Sequence, residues 1–350
     1  MSHLFASTDL QTTAEQSLAS IAPRRVLVLG ATGTIGQAAV QALLRNGHEV
    51  VCFIRPRASQ RAVGLHANSH HFLAGATVRL VNVCDTASLT NDGFCGEHFD
   101  VMVSCLASRT GAPADAWAID HQAHVLALAA AKAAGVTQVV LLSAICVQKP
   151  LLPFQEAKLA FERVLAESGM VYSIVRATAF FKSLSGQIDR LKAGKPFLIF
   201  GDGTLTACKP ISDGDLGNYL ADCIHDASRH NRVLPIGGPG PAISPRQQAE
   251  ALFFLLNKPV RFRRVPVALL DAIIAVLGVV GRVHPAVAAK AELARIGRYY
   301  ATESMLVWDM EARRYDADAT PSTGTETLAD FYGRLLRGEV SAELGDHKVF

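Results

Sequence analysis

The sequence predicts an α/β fold in which a parallel, doubly wound β-sheet is covered by helices on both faces. A glycine-rich turn links an apolar strand to a helix near the start of the chain, and strands and helices then alternate as far as residue 175. Of the 350 residues, 50% are hydrophobic. Such alternation is typical of βαβ units, and the apolar content is sufficient for a large buried core.

The first βαβ unit begins with an apolar strand at residues 26–29 and ends with a second strand at residues 50–54. The turn between the first strand and the helix reads GATGTIG, at residues 30–36. Its three glycines allow a tight turn, a close approach of a pyrophosphate to the backbone, and close packing of the helix, whose N-terminus attracts phosphate. We therefore predict a Rossmann dinucleotide site in which the turn residues bind the cofactor: Gly30, Thr32, Gly33, Thr34, Ile35 and Gly36.

Two arginines follow the second strand, where a dinucleotide site recognises the adenine ribose. An acidic residue at this place binds the ribose 2′-hydroxyl of NAD, whereas an arginine binds the 2′-phosphate of NADP. Arg55 and Arg57 therefore predict NADPH as the cofactor, and Arg55 is the stronger candidate. The alternative is that both arginines are solvated surface residues.

Further strands are predicted at residues 78–83, 100–106, 136–142 and 171–175. Asp85 follows the first of these and is a candidate for contact with the adenine, or else caps the next helical turn. Ala107 follows the strand at 100–106 and is small enough for the cofactor ribose to lie close to it.

The second half of the chain is less regular and cannot form a second full sheet. Its predicted strands lie at residues 197–200, 233–236 and 262–265, and its predicted helices at 212–227, 244–256, 285–300 and 325–336. We expect a smaller C-terminal α+β substrate lobe that interleaves with the Rossmann core. The predicted divisions are a leader at 1–22, an NADP-binding domain at 23–195, the lobe at 196–340 and a tail at 341–350.

Charge and cysteine content exclude several classes of function. The net charge is +3 and no long run of Lys or Arg occurs, which argues against nucleic-acid binding. The seven cysteines lack metal-ligand spacing, which favours a reducing compartment and no bound metal. Residues 1–22 have neither the apolar segment of a signal peptide nor the composition of a transit peptide, so we expect a cytoplasmic protein.

The longest apolar stretch lies at residues 265–283 and is interrupted by Pro266, Asp271 and Gly278. It is short for a membrane span, and we predict a buried helix. The alternatives are a helix that rests on a membrane surface or one that covers an apolar ligand.

Ser143, Phe154 and Lys158 carry the signal for the reaction. Phe154 and Lys158 are four residues apart, on one face of a predicted helix, and Ser143 precedes them at a strand end. This order is similar to that of short-chain dehydrogenases, in which a serine precedes Tyr-x-x-x-Lys. The resemblance implies that Lys158 binds the nicotinamide ribose, although an exposed helix lysine is the alternative. Phe154 replaces the tyrosine and cannot donate a proton.

Five longer segments make the resemblance more specific. They are LLSAICVQKPLL (141–152), SIVRATAFFKSLSGQ (173–187), FGDGTLTACKPIS (200–212), ESMLVWD (303–309) and YDADAT (315–320). Over about residues 24–335 the chain resembles the divinyl chlorophyllide 8-vinyl-reductases, which are atypical short-chain dehydrogenases close to NmrA and isoflavone reductase. The segments FFKSLSGQ and TACKPIS are the most discriminating.

The resemblance implies NADPH-dependent reduction of the 8-vinyl group of divinyl chlorophyllide or protochlorophyllide to ethyl, in chlorophyll or bacteriochlorophyll biosynthesis for photosynthesis. It also implies that a phenylalanine at 154 is normal, and that any magnesium belongs to the substrate. Ala177 stands where the family has proline. With Thr178, it lies in the segment that passes the nicotinamide.

A large, flat, apolar substrate needs an apolar wall and a partner for its carboxylate. Phe154, Phe180 and Phe181 are candidates for contact with the macrocycle, and ordinary core packing is the alternative for the last two. Candidates for the carboxylate, each of which could instead be a solvated charge, are Lys182, Lys209, Arg263 and Arg264. Candidate proton sources are Lys158, Cys146, Tyr172, Cys208 and water.

Two other functions are compatible with the sequence. One is a reductase that acts on another aromatic double bond, and the other is a non-catalytic dinucleotide-binding sensor or assembly factor of the NmrA type. The apolar stretch adds the idea of peripheral attachment to a photosynthetic membrane. The sequence makes no prediction of oligomeric state.

Overall fold

The structure is a computed structural model that describes residues 22–56 and 73–341. The prediction for Arg57 therefore lies outside the described residues. The strands are β1 (Arg25–Leu29), β2 (Glu49–Ile54), β3 (Thr77–Leu80), β4 (Val101–Ser104), β5 (Gln138–Ala144), β6 (Val171–Ala177), β7 (Phe197–Phe200), β8 (Arg232–Ile236), β9 (Phe262–Val265), β10 (Val307–Asp309) and β11 (Arg314–Asp316).

Helices follow most of these strands. They are α1 (Thr34–Arg45), α2 (His124–Ala133), α3 (Pro153–Ala166), α4 (Ile188–Lys192), α5 (Asp213–Asp222), α6 (Pro245–Leu255), α7 (Val267–Gly281), α8 (Pro285–Thr302) and α9 (Leu328–Leu336). Shorter helical turns include Pro113–Ala116 and a π-helical turn at Trp117–Ala123, which lead without a break into α2. The helical segment at 113–133 therefore contains a local widening that the sequence does not reveal.

The central sheet has seven strands in the order β3-β2-β1-β4-β5-β6-β8, and every neighbouring pair is parallel. The order reverses between β1 and β4, which is the place where a doubly wound sheet forms its ligand crevice. Residues 26–29 of β1 have no exposed surface because helices cover both faces of the sheet. The predicted doubly wound parallel sheet is confirmed.

Both halves of the chain contribute to this core. Helix α5 packs against α1 so closely that a Cβ atom on Gly217 would lie 2.6 Å from the carbonyl carbon of Ala38. Strand β8 completes the sheet beside β6. Conversely, Phe181 and Ile188, which lie before the predicted boundary at residue 196, pack with side chains of α6 and α9 in a second apolar core, and the elements around this core are called the lobe below.

The lobe contains two small sheets. Strands β7 and β9 form a parallel pair, and β10 and β11 form an antiparallel pair. Helix α6 begins as the sequence predicts, because the hydroxyl of Ser244 accepts a hydrogen bond from the N–H of Gln247 and Pro245 occupies the first turn. No second full sheet forms among the residues that the structure describes.

Helix α7 differs from its prediction. None of its residues is buried, and it packs against α8. The prediction of a buried helix is wrong, because α8 can cover only one side of a helix that is apolar on nearly every side. Within the described ranges, no helix combines the length and the hydropathy that a membrane span requires.

Candidate active site

The glycine turn between β1 and α1 leaves room for a ligand above it. Gly30 has a φ of +74°, and a Cβ atom there would lie 2.5 Å from the carbonyl carbon of Cys105. A Cβ atom on Gly36 would lie 2.1 Å from the carbonyl oxygen of Gly30. At Gly33, by contrast, a Cβ atom would meet that same oxygen at an ordinary contact distance of 3.4 Å. The turn is therefore closely packed at Gly30 and Gly36 but leaves space above Gly33. This arrangement fits a pyrophosphate at the helix N-terminus.

The adenine end of the site is less defined. Arg55 is exposed directly after β2. The Asp85 carboxylate accepts a hydrogen bond from the N–H of Ala87 at 3.0 Å and so caps the helical turn that follows. The capping alternative is thus observed, and contact of Asp85 with the adenine stays a prediction, as does the role of Arg55.

Lys158 projects from α3 towards Asp120, in the π-helical turn before α2. Its Nζ atom lies 2.9 Å from Oδ1 of Asp120, and the two side chains are 14% and 0% exposed. The same Oδ1 accepts the N–H of Ser108, beside the exposed Ala107, at 3.2 Å. The other oxygen of Asp120 is buried and has no hydrogen-bond partner among the described residues. Lys158 is therefore a largely buried, oriented cation and not an exposed helix lysine.

Asp120 is a candidate site residue that sequence reasoning missed. It is one acidic residue in an alanine-rich, largely apolar helical segment, and that placement is the signal that could have revealed it. Its position in a π-helical turn is typical of functional sites.

His124 lines the cavity beside Lys158 but carries no charge at neutral pH, because burial lowers its pKa to about 4. Its Nδ1 atom lies 2.9 Å from the carbonyl oxygen of Ile119 and donates to it, since a carbonyl can only accept. Nε2 then accepts from the hydroxyl of Ser104 at 2.8 Å. The ring therefore adds no second positive charge next to Lys158.

Ser143 lines the same cavity, but its hydroxyl has another partner. It donates to Oε1 of Glu162 at 2.5 Å, and Glu162 forms an ion pair with Arg176 of β6. Ser143 is 5% exposed. The hydroxyl proton of Ser143 is thus engaged by a buried carboxylate, and the predicted catalytic and cofactor-binding roles of Ser143 stay predictions.

Phe154 lies one turn before Lys158 and forms an apolar wall. It is 8% exposed and belongs to a cluster with Ile296 and Tyr299 of α8. The cavity beside Lys158 measures about 10 Å³. A single water molecule needs about that volume, so this cavity is far too small to hold a macrocycle.

Comparison with known proteins identifies the family. Residues 30–227 match the family described as NAD(P)H-binding. The chain is 47% identical over 346 residues to the divinyl chlorophyllide a 8-vinyl-reductase, chloroplastic, of Oryza sativa subsp. indica, covering 97% of this chain and 85% of that protein. Identity to the Arabidopsis thaliana protein of the same name is 45% over 332 residues, covering 92% and 79%. The chain belongs to the divinyl chlorophyllide a 8-vinyl-reductase family.

The fold of this vinyl-reductase family member also resembles solved oxidoreductases. The NADPH-dependent quinone oxidoreductase QOR2 of Escherichia coli, solved with NADPH, superposes with a TM-score of 0.61 at 21% identity, covering 89% of this chain and 99% of that chain. At that identity the likeness supports the fold alone.

One predicted substrate contact is contradicted by the structure. Phe181 is 1% exposed in the core of the lobe, where its ring centroid lies 5.4 Å from that of Phe331, so it cannot contact a substrate while that core is intact. Lys209 donates to the carbonyl oxygen of Thr320 at 2.9 Å, and its contact with the substrate carboxylate stays a prediction. Phe180 is half-buried and stays a predicted substrate contact.

The remaining predicted site residues in and after β6 lie at its two opposite ends. Ala177 is the last residue of β6, and the hydroxyl of Thr178 donates to the carbonyl oxygen of Lys209 at the same edge of the sheet. Tyr172 lies five residues before Ala177 in β6, paired with Val139 near the amino end of β5. The phenol of Tyr172 is excluded as a proton source because the site lies at the carboxyl ends of the strands, whereas Tyr172 lies near their amino ends.

The two candidate cysteines are neutral thiols. Cys146 belongs to the apolar cluster around Phe154, and burial raises the pKa of its thiol. Burial also raises the pKa of Cys208 to about 12. Both remain candidate proton sources.

Proposed function

We propose that this protein reduces the 8-vinyl group of divinyl chlorophyllide a to ethyl, with NADPH as the reductant, in chlorophyll biosynthesis. One observation carries the proposal. Lys158 is retained and held by a buried carboxylate, while Phe154 occupies the position of the proton-donating tyrosine. A site that keeps the ribose-binding group but lacks the phenol suits a substrate whose negative charge is delocalised over a macrocycle, because such a substrate has less need of a strong acid.

The residues of this chain bind the cofactor and the substrate and orient them. NADPH supplies the hydride when bound. Gly30 and Gly36 shape the turn for its pyrophosphate, and Asp120 fixes the ammonium of Lys158 where the nicotinamide ribose is expected. Phe154 presents an apolar surface beside that place and helps to exclude water from it.

The decisive experiment is anaerobic incubation of the purified protein with divinyl chlorophyllide a and NADPH, followed by chromatography and mass spectrometry. We expect a product heavier by two hydrogens, with a blue-shifted Soret band because the vinyl group leaves the conjugated system. Divinyl protochlorophyllide in a parallel reaction reports the preferred macrocycle. Intact NADPH binding with no conversion of either pigment would instead favour the non-catalytic sensor.

Arg55 is proposed to select NADPH over NADH. Its guanidinium is exposed at the end of β2, next to the turn, and a charged hydrogen bond contributes about 1.5–3 kcal/mol. We expect Arg55→Gln to weaken the binding of NADPH by about 10- to 100-fold and the binding of NADH by less than about twofold, as measured by fluorescence titration. Arg24→Gln, at the amino edge of the sheet, is the matched control. Equal losses for both dinucleotides would remove Arg55 from 2′-phosphate recognition.

We also propose that α7 contacts an anionic membrane surface. Leu269, Ile273, Val276, Val280 and Val283 recur at spacings of four and three, so they form one stripe on the helix and its extension. Val276 and Val283 are 64% and 74% exposed. This pattern is that of a helix which lies in the bilayer interface.

Basic side chains flank the apolar stripe. Arg263 and Arg264 lie just before α7 and Arg282 just after it, and all three are exposed. None forms an ion pair with any side chain in the described part of the chain. Such a cationic border supports anionic lipid as the partner, since each basic residue near the surface contributes about 1 kcal/mol.

Replacing Val276 and Val283, the two most exposed residues of the stripe, together with aspartate should abolish this attachment. We expect the unaltered protein to float with vesicles that contain phosphatidylglycerol and the double variant to remain unbound, because two carboxylates would enter the interface. Met310→Asp, at an equally exposed apolar residue far along the chain, is the control. Flotation that is unaffected by the double substitution, or loss of self-association in its place, would contradict a lipid partner.

A further inference from the structure

Lys182 occupies a place that its predicted role does not explain. Its Nζ atom lies 3.1 Å from the hydroxyl oxygen of Thr34, the first residue of α1. Thr34 directly follows Gly33, above which the turn is open. The ammonium group therefore lies at the mouth of the glycine turn, although the residue belongs to the segment after β6, 148 positions along the chain.

The backbone around Lys182 is held from two sides. Phe180 forms a parallel bridge with Ile211, and the N–H of Phe181 donates to the carbonyl oxygen of Ile211 at 3.3 Å. The ring of Phe181 is fixed in the core of the lobe. The next residue after Ile211, Ser212, caps α5, which in turn packs on α1. Lys182 thus reaches Thr34 from a framework that is fixed relative to the turn.

The electrostatics of this place are unfavourable for a lysine unless an anion joins it. The N-terminus of a helix carries partial positive charge, so an ammonium there is repelled, whereas a phosphate is attracted. The first turn of α1 contains no acidic residue. Lys182 forms no ion pair with any carboxylate of the described residues, and its hydrogen bond to Thr34 is to a neutral hydroxyl.

Asp213 is a candidate for a counter-charge to Lys182, and it is a poor one. Burial raises the pKa of its carboxyl to about 6, and the Lys182 ammonium only partly opposes that shift. One carboxyl oxygen of Asp213 is buried without a hydrogen-bond partner in the part of the chain that the structure describes. The two side chains interact electrostatically, but no hydrogen bond or ion pair joins them in the structure.

We propose that Lys182 binds the pyrophosphate of the dinucleotide and closes the phosphate site from the side of the lobe. The glycine turn and the helix N-terminus supply neutral N–H donors, and Lys182 adds the full positive charge that those donors lack. This role replaces the predicted contact of Lys182 with the substrate carboxylate. It depends on the NAD(P)H site and not on the identity of the reduced double bond, so it can fail or succeed independently of vinyl reduction.

The test uses Lys182→Met and measures dissociation constants for NADPH and NADH by fluorescence titration. Because both dinucleotides contain the pyrophosphate, we expect the dissociation constants of both to rise by the same factor, about 10- to 100-fold. Arg55→Gln is the matched comparison, since it should affect NADPH alone. Lys182→Arg should keep most of the affinity, and the dissociation constant for divinyl chlorophyllide should not change in either Lys182 variant. A second neutral variant, Lys182→Gln, replaces Lys182→Met if that protein does not fold.

Two results would overturn the assignment. Unchanged NADPH and NADH affinities together with weaker pigment binding would return Lys182 to the substrate carboxylate. If Lys182 only balances Asp213, then adding Asp213→Asn to Lys182→Met would fully restore dinucleotide affinity. We expect the loss of dinucleotide affinity to persist in that double variant. Asp213→Asn alone should leave the dissociation constants for NADPH and NADH within about threefold of those of the unaltered protein.

Discussion

Replacing Gly33 with aspartate is expected to abolish dinucleotide binding without unfolding the protein. Gly33 is the N-cap of α1, with φ −75° and ψ 160°, a conformation that any residue adopts. A Cβ atom there meets nothing closer than 3.4 Å. Aspartate is a preferred N-cap residue, so the variant should be as stable as the unaltered protein or slightly more stable.

The loss of binding follows from charge. The new carboxylate would occupy the space above the turn where the pyrophosphate binds. Two like charges about 4 Å apart repel by about 4 kcal/mol at an effective dielectric constant of about 20. That energy corresponds to about a thousandfold weaker binding of NADPH. The measurement is fluorescence titration beside thermal unfolding with and without NADPH.

Two controls separate charge from backbone effects. Gly33→Ala adds a methyl group to open space, and we expect only a small loss of affinity. Gly36→Ala should destabilise the fold itself, because its methyl group would collide with the carbonyl oxygen of Gly30 at 2.1 Å. A Gly33→Asp protein that binds NADPH normally would contradict the location of the phosphate site.

The parts of the fold that the sequence predicts well are those that local pattern determines. Strand β1, the glycine turn and α1 occur within about twenty residues, and each glycine has a steric reason that can be read before any contact is known. Ser244 and Pro245 likewise mark the start of α6 through local hydrogen bonding and fixed φ.

The parts that it predicts poorly depend on distant partners. Helix α7 looks like a core helix because hydropathy alone cannot reveal how many neighbours will cover it. Phe181 and Lys182 are adjacent, yet one enters the lobe core and the other reaches the glycine turn, because an irregular segment has no fixed periodicity. Ser143 is engaged by Glu162, 19 residues away, which no motif anticipates.

The substitution Asp120→Asn tests whether Asp120 positions the ammonium of Lys158 for the cofactor or only balances its charge. The substitution keeps the size of the side chain but removes the counter-charge from an ammonium that is 14% exposed. We expect the free energy of unfolding to fall by about 3 kcal/mol, the lower end of the range for broken buried pairs, because Lys158 keeps some contact with solvent. Adding Lys158→Met should recover most of that stability, since no unpaired charge then remains.

Function should not recover with stability, because Asp120 acts through Lys158 on the cofactor. In Asp120→Asn we expect kcat/KM for NADPH to fall by about 100-fold while pigment affinity stays unchanged, and the double variant should be no more active than Lys158→Met alone. Asp120→Glu, which keeps the charge but moves it by one methylene, should retain stability better than turnover. If Asp120→Asn lowers the unfolding free energy but leaves NADPH affinity and turnover intact, Asp120 is a structural counter-ion that does not position Lys158 for the cofactor.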